Sequence, residues 1–148
     1  MLPYEKIDPM NTTNLFVYGT LMVSSIFVRM AGQNFPKQSG ILMDYARFRV
    51  KKAVYPAIIA QPGDHTDGII HFNVNPLALQ RIDAFEGDMY QRSRVFVQTS
   101  DNSRIIAHAY ILRPEYRDWL TDERWRLETF QKQHQQAFID SFNGFEKI

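Results

Sequence analysis

The chain has 148 residues, 45% apolar and 22% charged, which suits one globular domain with a real hydrophobic core. Its 17 basic and 16 acidic residues leave a formal charge of +1, with no footprint for nucleic acid or an anionic membrane surface. There is no Cys, which excludes disulfides, cysteine nucleophiles and thiolate metal sites, and fits a reducing, cytoplasmic setting.

The N-terminal stretch Met1–Asn14 is polar, with Pro3 and Pro9. It lacks the basic start and apolar middle of a signal peptide and reads as a loose arm over residues 1–13. A single domain is expected over 14–148, because no repeat or low-complexity segment marks a boundary. No apolar run approaches the roughly 18–20 residues of a membrane span. With 11 Phe, 7 Tyr and 2 Trp, ring packing should dominate the core.

The first structured run is Leu15-Phe16-Val17-Tyr18-Gly19-Thr20-Leu21, an apolar, β-prone segment ending in Gly-Thr and followed by a helix-like stretch, Ser24–Met30. A strand that turns through Gly into a helix leaves backbone N–H groups unpaired, which suits an anion. An ordinary tight turn is the alternative. After a break at 31–36, strands are expected over Ser39–Val50, Val54–Gln61 and Asp67–Val74, with Pro56 at an edge or irregular point and Pro62-Gly63-Asp64-His65 as a turn.

Next, Leu77, Leu79, Ile82 and Phe85 space out about two turns of helix, started by Pro76 and stopped by Gly87. Glu86 falls at its C-terminal end beside Phe85. An apolar neighbour and the negative end of the helix dipole both disfavour a charged carboxylate there. A carboxyl with a raised pKa is what acid–base work near neutral pH needs; a solvated surface Glu is the alternative.

Strands over Arg94–Thr99 and Arg104–Leu112 flank a hairpin turn at Asp101-Asn102. From Thr121 the pattern turns helical, with Leu127, Phe130, His134, Ala137, Phe138 and Phe142 on a core-packing face and Gly144 as a stop. His71 and His108 fall inside strands, where a hydrogen-bonded structural role is expected. None of the four His pairs at metal-ligand spacing, so no metal site is expected. About six short strands with few helices, not strictly alternating, argue α+β with a curled or barrel-like sheet.

Four segments in order, Phe16-Val17-Tyr18-Gly19-Thr20-Leu21, Tyr55-Pro56-Ala57-Ile58, Asp67-Gly68-Ile69-Ile70 and Ile82 to Arg92, resemble the gamma-glutamyl cyclotransferase-like superfamily. The resemblance is to its plant and bacterial branch, named for avirulence-induced genes. It covers residues 14–113, and the tail from Arg124 to Phe142 is similar to the C-terminal helix of plant members. It implies a small mixed β-barrel with flanking helices and a C-terminal amphipathic helix. By the same resemblance Tyr18, Gly19, Thr20 and Leu21 match a loop whose amides hold a γ-glutamyl group. Glu86 matches the acid–base, Tyr90 an aromatic that orders the site, and Tyr55 and Pro56 a segment near the pocket. The interval from Glu86 to Tyr90 is shorter than in the animal enzymes, so no leaving group is implied.

The implied chemistry suits these residue types. The α-amine of a γ-glutamyl amide lies a five-membered ring away from the γ-carbonyl, and intramolecular attack gains roughly 7–11 kcal/mol where the reactants are well oriented. One carboxylate could move the protons and loop amides could steady the oxyanion. The products would be 5-oxoproline and a free amine, and the reaction calls for no cofactor. Two other readings stand beside a cyclotransferase: a related γ-glutamyl transferase or hydrolase, and a non-catalytic module binding a small anion or metabolite.

Overall fold

A computed structural model describes residues 11–146, with side chains described through Phe142. Six strands form one sheet: β1 (Thr13–Val17), β2 (Lys37–Val50), β3 (Pro56–Val74), β4 (Tyr90–Thr99), β5 (Arg104–Leu112) and β6 (Leu120–Arg124). They run in the order β3-β1-β5-β4-β2-β6, and a further β3–β2 pairing joins the ends of the first five into a closed, five-stranded barrel. β1 and β5 pair in parallel, whereas β1–β3, β2–β3, β2–β4 and β4–β5 are antiparallel. The barrel is therefore mixed, and β6 is an extra strand on β2. Helices α1 (Ser24–Ala31), α2 (Pro76–Glu86), α3 (Leu127–Gln133) and α4 (Gln135–Glu146) flank it. The α+β barrel expected from sequence is the architecture found.

Two apolar clusters fill the molecule. One, inside the barrel, includes Phe16, Leu42, Ile58, Ile70 and Val97. The other lies between barrel and helices and includes Leu15, Phe27, Ile82, Trp125 and Phe130. Strand alternation divides neighbours between them: Leu15 and Val17 face one side of β1, Phe16 and Tyr18 the other.

Several local expectations need correction. The strands expected over Val54–Gln61 and Asp67–Val74 are one strand, β3, which begins at Pro56 and not at Val54. The turn expected at Pro62–His65 is an excursion of residues 61–64 within it, since Met43 pairs with His65 and Tyr45 with Ala60, leaving Asp44 opposite the intervening residues. Gly63 takes φ 87°, and its amide donates to Asp44 Oδ1 at 2.9 Å. Turn residues thus produced a bulge that bends the strand instead of ending it. Thr121–Arg124 is strand β6, not helix. There Thr121 Oγ1 donates to Arg49 O at 2.7 Å, and Arg49 pairs with Glu123 at 3.1 Å.

The C-terminal helix is two helices, broken at His134 (φ −130°), and Gly144 lies inside α4 rather than stopping it. The break resets the phase, so Phe138 and Ile139 pack inward while Ala137 is exposed. Leu77 is also exposed; Ala78, Leu79 and Ile82 form the inner face of α2. The expected arm over 1–13 falls almost wholly outside the described residues, although Thr13 already pairs with Val74 in β1.

Candidate active site

The loop after β1 begins with a buried Tyr18 whose hydroxyl donates to Tyr110 O at 2.6 Å, fixing the ring across the barrel. Its carbonyl accepts from Arg47 Nη1 at 2.8 Å. Gly19 follows, and a short 3-10 turn, Thr20–Met22, begins with Met22 N donating to Gly19 O at 2.9 Å. The amides of Gly19, Thr20 and Leu21 precede that first bond, and such leading N–H groups have no partner within their own turn. Gly19 is required here by close approach: a Cβ would lie 2.8 Å from Pro56 Cδ and 2.9 Å from Pro56 Cγ.

Pro56 opens β3, where a missing N–H is tolerated. Its carbonyl accepts from the Tyr90 hydroxyl at 2.7 Å, and the preceding Val54 carbonyl accepts from Trp125 Nε1 at 2.7 Å. The Arg47 guanidinium also lies over the Trp125 ring, 5.4 Å from its centroid. The Tyr18–Leu21 loop, the Tyr55–Pro56 segment and the start of the C-terminal region are therefore tied to one another.

Glu86 is the last residue of α2. The helix is capped at its start by the Asn75 side chain and ends at Gly87, which takes φ 80°. Glu86 lines a cavity of about 280 Å³ together with Tyr18, Gly19, Thr20, Leu21, Tyr55, Pro56 and Tyr90. All eight residues singled out from sequence thus meet at one cavity, although the loop and Glu86 are more than sixty positions apart. Glu86 keeps a little solvent contact through the cavity, but the packed atoms around its carboxyl strip most of its hydration. Burial first, and the nearby Asp83 carboxylate second, push its pKa up to about 8. The second cause is the Asp83 charge, where sequence had suggested the helix dipole. Among the described residues no hydrogen bond holds the Glu86 carboxyl, so both oxygens are available to a cavity occupant.

Asp83, one turn earlier on α2, is the hub of a network that sequence reading missed. It accepts from Tyr110 Oη at 2.6 Å, from Arg92 Nε at 2.8 Å and from Arg92 Nη2 at 3.2 Å. Arg92 also donates to His108 Nδ1. The expected hydrogen-bonded role of His108 holds, and burial with Arg92 beside it keeps its pKa low. Tyr18, Tyr90 and Tyr110 all have raised pKa values, chiefly through burial, so they are neutral hydroxyl donors at physiological pH.

His71 departs from its expected role. It is buried in β3 with neither ring nitrogen hydrogen-bonded among the described residues, and it stacks flat on Phe27 with centroids 3.6 Å apart. Burial lowers its pKa to about 4.

The other missed lining residues are Phe16, Val17, Phe85, Met89, Tyr110, Phe138 and Phe142. Phe138 and Phe142 were expected to serve only core packing. Their helical spacing was visible, but nothing in it showed that α4 packs against a cavity. Among the described residues no group of three or more His, Asp or Glu is arranged to hold a metal ion. No helix there is long and apolar enough to cross a membrane.

The chain and its barrel have counterparts among known proteins. The family model described as "Gamma-glutamyl cyclotransferase, AIG2-like" matches residues 15–127, most of the chain. The chain belongs to that family. Among its relatives is AIG2-like protein D of Arabidopsis thaliana, 31% identical over 135 residues, covering 89% of this chain and 88% of the relative. AIG2-like protein A of the same plant is 27% identical, with 91% and 82% covered. An Arabidopsis thaliana protein solved in solution superposes with a TM-score of 0.68 at 26% identity, covering 93% and 92% of the two chains. A structure titled gamma-glutamyl cyclotransferase superposes with a TM-score of 0.59 at 17% identity, covering 69% and 67%. At that identity the likeness is one of fold. Membership in the AIG2-like family was legible in the ordered motifs.

Proposed function

We propose that this AIG2-like protein is a gamma-glutamyl cyclotransferase that converts a γ-glutamyl amide to 5-oxoproline and a free amine. The observation that carries this reading is one cavity holding both the Tyr18–Leu21 loop and a Glu86 whose pKa stands near 8. In the reaction, the Glu86 carboxylate takes a proton from the substrate's α-ammonium. The freed amine lone pair bonds to the γ-carbonyl carbon, and the carbonyl π electrons move onto oxygen, where loop amides stabilise the charge. The oxyanion then collapses, the bond to the departing amine breaks, and the Glu86 acid returns its proton to that nitrogen. The excess proton on the ring nitrogen passes to solvent. A pKa near 8 suits both halves of this cycle, because the group is neither too weak a base nor too weak an acid near neutral pH.

The neutral hydroxyls of Tyr18, Tyr90 and Tyr110 are all donated elsewhere within the protein, so they shape the cavity without competing for the proton. The test is incubation of the purified protein with a panel of γ-glutamyl amines and peptides, followed by mass spectrometry. Release of 5-oxoproline is expected. Release of glutamate would indicate a hydrolase, and the absence of any turnover would overturn the reading in favour of a binding module.

A further inference from the structure

The identity of the amine can be narrowed from the cavity wall. Once the Tyr18–Leu21 backbone and Glu86 are assigned to the glutamyl group, the polar lining is nearly used up. Three tyrosine hydroxyls are committed to Tyr110 O, Pro56 O and Asp83, leaving Thr20 and Tyr55 as the other hydroxyl-bearing residues. The rest of the wall is apolar and includes Phe85, Met89, Phe138 and Phe142, drawn from α2, the turn after it and α4. The three phenylalanines pack on one another. Phe138 and Phe142 meet edge-on at 4.9 Å, Phe85 and Phe138 edge-on at 6.4 Å, and Phe85 and Phe142 lie tilted at 5.7 Å.

Among the described residues no Lys or Arg lines the cavity. The nearby Arg47 is committed to Tyr18 O and Asp67, and Arg92 to Asp83. A leaving group that carried its own carboxylate would therefore be desolvated without a cation, beside a wall that already holds an acid.

We propose that the amine portion of the substrate is an uncharged aromatic or bulky apolar group seated on Phe85, Met89, Phe138 and Phe142, rather than an amino acid. This rests on the cyclotransferase reading. A ring on the substrate extends the edge-on and tilted packing that the three phenylalanines already make, whereas a carboxylate there meets no cation among the described residues.

Three substrates separate the contributions: γ-glutamyl methylamide, γ-glutamyl phenethylamide and γ-glutamyl phenylalanine. The second differs from the first by the ring, and the third from the second by one carboxylate. The expected kcat/KM for 5-oxoproline release is highest for the phenethylamide, by roughly ten- to a hundredfold over each of the others, the scale on which apolar pockets discriminate. Phe142→Ala should shrink the phenethylamide-to-methylamide ratio and Phe142→Leu should restore part of it; a ratio is insensitive to any inactive fraction. Turnover of the methylamide with no preference for the ring, or a preference for γ-glutamyl phenylalanine, overturns this inference and leaves the cyclotransferase reading standing. No 5-oxoproline from any of the three overturns both.

Discussion

Tyr110 on β5 donates its hydroxyl to Asp83 on α2 at 2.6 Å, and this contact, with the Arg92 pair, holds a carboxylate one helical turn from Glu86. Asp83 raises the Glu86 pKa. If Glu86 must start as the carboxylate, kcat/KM should climb with pH and level off above about 8. Asp83→Asn removes the neighbouring negative charge and leaves the Arg92 charge without its carboxylate, and both changes favour ionised Glu86. The acid limb should move to lower pH. A pH–rate profile of the two proteins checks this; an unmoved limb means that another group controls it.

Gly19 sits where the loop grazes Pro56. An alanine Cβ would approach the proline ring to 2.8 Å, and a ring cannot swing aside as a flexible chain end can. Gly19→Ala should therefore displace the Tyr18–Leu21 loop or the Tyr55–Pro56 segment. A stability loss of about 1–3 kcal/mol is expected, the usual cost of overpacking, along with a fall in kcat/KM. Melting curves and kinetics on one preparation measure both. Wild-type activity with an unchanged melting point would show that the contact is easily relieved.

Arg47 holds the same loop from the other side. It donates to Tyr18 O at 2.8 Å, to Asp67 O at 3.0 Å and to Asp67 Oδ1 at 3.0 Å. Lys keeps the charge but not the planar fork. Arg47→Lys should loosen the loop and raise KM more than it lowers kcat, because the loop is assigned to binding and Glu86 to proton transfer. Steady-state kinetics give the split, and an equal fall in kcat with KM unchanged would contradict it.

How legible this site was depends on distance along the chain. Glu86, Gly87 and Tyr90 stand in one short motif, and Tyr18–Leu21 in another, so their residue types could be read directly. The Asp83–Arg92–Tyr110 network could not. Its members lie on α2, β4 and β5: hairpin register sets Arg92 opposite Tyr110, and only the seating of α2 against that hairpin adds Asp83, neither of which a residue pattern announces. Pro62-Gly63-Asp64 shows the complementary failure. Its turn chemistry is real, but pairing of β2 with β3 on both sides carries the strand through it. The same holds for the tail: residues 121–124 are recruited to β2 by backbone pairing and Arg49, which a helical periodicity cannot reveal.

Glu86→Gln separates chemistry from folding. Gln is nearly isosteric and cannot cycle a proton, so turnover should fall by about two to four orders of magnitude. Stability should change in a pH-dependent way. The Glu86 pKa is about 8 in the folded protein against 4.5 for an unperturbed Glu, so between those values the folded state holds more protons than the unfolded one. Stability conferred by the protonated acid therefore declines as pH rises from about 4.5 to 8, then levels. His71 acts oppositely. Its folded pKa of about 4, below the ordinary 6.5, makes stability rise with pH across that lower window. Because both proteins keep His71, its contribution cancels in the difference between them. The melting temperature of Glu86→Gln relative to wild type should thus be higher at pH 8.5 than at pH 5. A difference that does not change with pH would mean that Glu86 ionises normally in the folded protein, and full activity in the variant would remove Glu86 from the mechanism.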